Sequence, residues 1–74
     1  MKNIEIYQEP IALYQLLKLE ALVSSGGEAK AAIDAGKVLV NNQVETRRRK
    51  KILAGDIIEF EKQAFEIVLK PKEQ

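Results

Sequence analysis

The chain has 74 residues, twelve Lys and Arg against eleven Asp and Glu for a net charge of +1, and neither Cys nor His. That length holds one domain, read as 1–74, with a small core. The missing Cys and His exclude disulfides, zinc or iron–sulfur sites built from those ligands, and Ser-His or Cys-His catalytic pairs, so neither metal nor cofactor is expected.

At the start, "MKNIEIYQEP" lacks the apolar stretch of a secretory signal, and no later run approaches the roughly 18 apolar residues of a spanning helix. A cytoplasmic protein without membrane attachment is expected. Ile4 and Ile6 alternate around Glu5, which predicts a short strand over 3–7. Pro10 suits the first turn of a helix. From there Ala12, Leu13, Leu16, Leu17, Leu19 and Val23 share one side of a helical wheel. Gln15 and Lys18 take the other side and Tyr14 its edge, an amphipathic helix of about three turns. Ser24, Ser25, Gly26 and Gly27 break it. Ser25 and Glu28 have capping-box spacing and open a second, shorter helix with the stripe Ala29, Ala32 and Ile33. Gly36 can take the left-handed conformation that ends it.

The period then becomes two. Val38 and Val40 alternate around Leu39, Asn41 and Asn42 signal a tight turn, and Val44 starts the return strand. Ala54, Gly55 and Asp56 form a second turn. Ile57, Ile58 and Phe60 read as a strand, Phe65, Ile67 and Leu69 as another, and Pro71 begins a polar tail over 71–74. The order predicts an α+β fold: a two-helix unit, then a small antiparallel sheet, with an extra N-terminal strand.

Charge is distributed unevenly along this order. The net value is −1 over 1–17, +4 over 18–51 and −2 over 52–74. Such a chain can turn a positive face to a polyanion despite its small total. Within the basic middle, Arg47, Arg48, Arg49, Lys50 and Lys51 are consecutive. Five adjacent cations repel, so folding gains nothing from grouping them. The plain alternative is a solvated charged turn. In a regular strand Arg48 and Lys50 would share parity with Val44 and Ile52, which look like core residues. Burying those cations unpaired is costly, so a bulge or loop within 46–50 is expected. Arginine suits RNA because it grips phosphate with two parallel hydrogen bonds and stacks on bases.

Ser25, Gly26 and Gly27 offer free N–H groups at a helix N-terminus, which attract anions. An ordinary helix cap explains them as well. Lys18, Lys30 and Lys37 join the basic segment and matter collectively. Glu20, Glu28, Glu59 and Glu61 show no pairing of a general acid with a base, so no enzyme is expected.

The order of helix, Ser-led turn, Gly-ended helix, "VLVNNQV" and "AGDIIEF" resembles the S4 RNA-binding domain family over about residues 10–60. The resemblance rests on Ser25, Ala29, Ile33, Gly36, Val38, Val40, Asn41, Gly55 and Asp56. "SGGEAK" and "VETRRRKK" are similar to the small stand-alone bacterial S4 proteins. The resemblance implies an αL-type two-helix motif that presents a positive surface to structured RNA, commonly ribosomal RNA. It implies a ribosomal subunit or assembly intermediate as partner and a monomeric protein. Gly36 and Asn41 would be structural, and Ser25 would cap the helix at the RNA face. Two departures stand out. Many S4 domains open the first helix with Arg-Leu-Asp, where this chain has Ala12-Leu13-Tyr14. Many have Ser-Arg at the second, where this chain has Ser25-Gly26. The expectation is that residues 47–51 replace those missing arginines, so that reversing Arg47, Arg48 and Arg49 to Glu abolishes RNA binding without unfolding.

Two other readings compete. The segment from "VLVNNQVE" to "ILAGDIIEF" also looks like a β-grasp sulfur carrier, but those need a C-terminal Gly-Gly, and this sequence ends Pro71-Lys72-Glu73-Gln74. A protein–protein adaptor of the ribosome or an RNA-processing complex, acting without RNA contact through Glu59, Glu61 and Glu66, is the alternative function.

Overall fold

The structure, a computed structural model, describes residues 1–71. The expected polar tail, beyond Pro71, lies outside the described residues. Strand β1 (Lys2–Ile6) leads through a cis Glu9–Pro10 bond to β2 (Ile11–Ala12) and the helices α1 (Leu13–Leu19) and α2 (Gly26–Asp34). Strands β3 (Val38–Val40), β4 (Gln43–Val44), β5 (Lys51–Ile52), β6 (Ile57–Phe60) and β7 (Gln63–Leu69) follow.

The period-two residues build one apolar layer: Ile4 and Ile6, Val38 and Val40, Ile58 and Phe60, Phe65 and Ile67 are all buried. The helices contribute Leu13, Leu16, Leu17, Ala29 and Ile33 to the same core. No polar or charged residue is buried among the described residues. All ionic chemistry therefore takes place at the surface.

The main sheet runs β1-β7-β6-β3-β4, and β2 pairs with β5 in a separate two-stranded ladder. Its β3/β4, β3/β6 and β6/β7 pairs are antiparallel, but β1 is parallel to β7, with Ile4 opposite Ile67. The fold is thus α+β as expected: the predicted antiparallel strands, with the extra N-terminal strand joined parallel at one edge so that the sheet as a whole is mixed. Connectivity is the reason. Parallel neighbours need a long crossover, and β1 is separated from β7 by both helices and every other strand.

Both helices end in the same way. Gly36, at φ 75°, donates to the Ile33 carbonyl while the Lys37 N–H reaches Ala32, the paired bonds of a Schellman motif. In α1 the left-handed residue is Ala21, at φ 55°, with Ala21 bonded back to Lys18 and Leu22 to Leu17. This early stop limits α1 to seven residues, about two turns and not three. It leaves Leu19 62% exposed, off the apolar face on which the wheel put it. Pro10 precedes β2 and does not open the helix. Val44 is likewise exposed, because β4 is a two-residue edge strand.

The predicted turns form. Asn41 and Asn42 have φ of 52° and 69°, the signature of a two-residue hairpin turn of the primed type. Asn41 is also fixed by its side chain, which donates to Asp56 Oδ1 at 3.1 Å and accepts from the Ile57 N–H at 2.9 Å. At the start of α2, the Ser25 hydroxyl accepts from the Glu28 N–H at 3.1 Å.

Candidate nucleic-acid interface

Residues 45–50 join β4 to β5 as an irregular loop, closed by a turn in which the Lys50 N–H donates to the Arg47 carbonyl at 3.2 Å. The loop breaks strand parity as burial costs require. Ile52 enters the core, while Arg47, Arg48, Arg49 and Lys51 are exposed and Lys50 is half-buried.

The backbone of this loop is pinned to α1. Ala12, at the N-cap, supplies no side-chain acceptor. The Leu13 and Tyr14 N–H groups donate instead to the carbonyls of Lys50 at 2.9 Å and Arg48 at 3.1 Å. Two of the four orphan donors of the helix start are thus satisfied by the basic loop.

Two of the five cations are latched. Arg47 grips Glu45 with two parallel bonds of 2.9 and 3.0 Å, and its backbone N–H donates to the same carboxylate at 3.0 Å. Those bonds hold the Glu45 carboxyl down at about 2, against partial burial that works the other way. Arg48 places the same fork on Asp34 at the end of α2. The hydrogen bonds from Arg48 keep Asp34 below its ordinary value. Each carboxylate in turn raises the pKa of its arginine.

Arg49, Lys50 and Lys51 make no ion pair among the described residues. With Arg47 they line a shallow, open concavity.

The remaining predicted residues divide. Lys30 sits over the Tyr14 ring, 5.2 Å from its centroid, and so lies on the helix pair beside the loop. Ser25 is committed to its cap, with Gly26 half-buried and Gly27 exposed behind it. A Cβ on Gly26 would meet nothing within 4 Å, and one on Gly27 only Ser25 Oγ at 3.9 Å. No internal packing demands glycine at either position, and the space in front of them is open. Lys18 lines a groove with Pro10, Ile11 and Leu19. Lys37 lines another, between α2 and Phe60, beside Glu28 and Glu61. The three lysines are therefore not one patch, and Lys37 stands among carboxylates. Sequence reasoning missed Asp34 and Glu45 as latches. Glu45 stands two residues from Arg47, a visible local signal. Asp34 and Arg48 are brought together only by the fold.

Among the described residues no helix is long and apolar enough to cross a membrane, and no group of carboxylates is arranged to hold a metal.

A family model described as "S4 domain" matches residues 4–68. Among curated proteins, the "Putative RNA-binding protein YbcJ" of Escherichia coli (strain K12) is 45% identical over 58 residues, 78% of this chain and 83% of that protein. The "Probable ribosome maturation protein RlbA" of Bacillus subtilis (strain 168) is 43% identical over 58 residues, 78% of this chain and 82% of that one. The solution structure of E. coli YbcJ, described as revealing an "ALFAL motif involved in RNA-binding", aligns with a TM-score of 0.69 and 40% identity. That alignment covers 92% of this chain and 87% of that one.

Proposed function

We propose, from the premise that this chain belongs to the S4 domain family, that it is a non-catalytic RNA-binding protein. It acts as one monomeric domain that holds structured RNA, ribosomal RNA first, by its phosphates. The observation that carries this reading is the basic loop. Arg49, Lys50 and Lys51 are unpaired among the described residues, on a backbone anchored to the first turn of α1. A pinned loop loses little conformational freedom on binding, so its cations act as a preorganised site. Lys30, over the Tyr14 ring, stands beside it. Phosphate contacts position RNA without reading sequence, so shape recognition follows. RNA binding is supported by the YbcJ names, and a role in ribosome maturation by the RlbA name.

The structure changes which variant tests this. Arg47 and Arg48 hold the loop to Glu45 and Asp34. Reversing them would set carboxylates against carboxylates and disturb the loop itself. Arg49→Glu with Lys51→Glu reverses two exposed, unlatched charges. The expected result is a folded protein by circular dichroism that no longer binds a structured ribosomal RNA fragment. Binding at the wild-type level by that folded variant would refute the proposal.

A further inference from the structure

We infer that the outer edge of β1 and the groove beside it receive an extended, basic segment of a partner protein. This inference does not rest on the RNA reading. β1 is the terminal strand of the main sheet, and its outer edge faces no other strand among the described residues. A bare edge presents unpaired N–H and C=O groups that another extended chain can complete. Beside it runs a groove lined by Asn3, Glu5, Tyr7, Leu19 and Glu20. Asn3 and Glu5 alternate with the buried Ile4 and Ile6, whereas Leu19 and Glu20 belong to the end of α1. The groove therefore wraps around the free edge.

Its chemistry selects the occupant. Tyr7 and Leu19 are 64% and 62% exposed, and both stand in this one groove. Large apolar side chains left in water at a shared site mark an interaction surface better than scattered ones do. The charges lining the groove are both negative. Glu5 shares an exposed 3.1 Å pair with Lys70, and Glu20 has no ion pair among the described residues. Lys18 stands in the adjoining groove, on the other side of Leu19. A polyanion is disfavoured there. A strand added to β1 would turn alternate side chains the same way. Side chains on the α1 face would meet Leu19 and Glu20 and those on the opposite face Glu5, so an apolar residue set against Leu19 leaves its Lys or Arg neighbours facing Glu5. The basic loop holds the N-terminal end of α1 through Leu13 and Tyr14, while Leu19 and Glu20 close the opposite end. Both surfaces can be occupied at once.

The test uses the full chain, isotopically labelled, and two acetylated hexapeptides: one alternating Val with Lys, one alternating Val with Glu. The Val-Lys peptide should shift the resonances of Tyr7, Leu19 and Glu20 and slow amide exchange along β1. The Val-Glu peptide should do neither. In the Glu5→Lys, Glu20→Lys protein, affinity for the Val-Lys peptide should fall about tenfold, the scale of two exposed charge contacts. The inference is overturned if the Val-Lys peptide leaves β1 unprotected or if both peptides bind alike. β1 protection that rises with protein concentration in the absence of peptide would also overturn it, by assigning the edge to a second copy. If the double variant fails to fold, the comparison of the two peptides on the wild-type chain decides alone.

Discussion

Replacing Asp34 by Asn should make the protein a stronger RNA binder at low salt. Asp34 accepts from Nε and Nη2 of the Arg48 guanidinium, and the two side chains remain about half exposed. Asparagine keeps the size, removes the charge and releases Arg48 to solvent beside Arg49. The net charge rises from +1 by one. Each additional phosphate contact steepens the log–log dependence of affinity on salt by about 0.7 for single strands and about 0.9 for duplex. The advantage of D34N over wild type should therefore shrink about five- to eightfold over a tenfold rise in salt. Fluorescence anisotropy on a labelled structured RNA, over such a series, measures this directly. The pair is a screened surface contact, so the thermal midpoint should hardly move. An unchanged salt slope, or weaker binding at low salt, would refute the view that Asp34 withholds a phosphate-binding arginine.

Other expectations follow from the same contacts. Ser25→Ala removes the acceptor for the Glu28 N–H and should cost about 1 kcal/mol, several degrees in thermal midpoint, without altering the salt slope. Ile33→Ala empties a fully buried position in the last turn of α2. Urea denaturation should show a loss of about 2–5 kcal/mol, a large share of the stability of so small a domain. Glu45 titrates at about 2 when folded, below its ordinary 4.5. A depressed carboxylate stabilises above its unfolded value and loses that contribution on protonation. The stabilising effect of Glu45 should be complete above pH 4.5 and disappear as pH falls toward 2. Thermal midpoints of wild type and Glu45→Gln should therefore converge on acidification. With no histidine in the chain, RNA affinity should stay flat between about pH 6 and 8.

Elements set by local chemistry were legible in the sequence. Ser25 and Glu28, Gly36, and Asn41 with Asn42 each encode a cap or turn through their own side chain or backbone freedom; the glycine and asparagine turns form as read, and of the capping box the Ser25 half forms. The parity conflict at Arg48 and Lys50 correctly demanded a loop. What escaped notice depends on contacts far apart in sequence or on residues without turn preference. Ala21 ends α1 in a left-handed conformation usually left to glycine, so the wheel ran a turn too long. Glu61 and Lys62 make the β6–β7 turn with φ of 51° and 65°, and neither residue type announces it. The parallel β1/β7 pair and the bond from Arg48 to Asp34 are products of topology. At the candidate site, the sequence located the cations but not which of them are already paired.

The most direct measurement is the affinity of the wild-type chain for a structured ribosomal RNA fragment across a salt series, beside the Arg49→Glu, Lys51→Glu variant. Three unlatched cations predict a log–log slope of about −2 to −3, and the reversed protein should not bind. A slope near zero, or equal binding by the folded variant, would contradict the claim that this loop holds RNA by its phosphates.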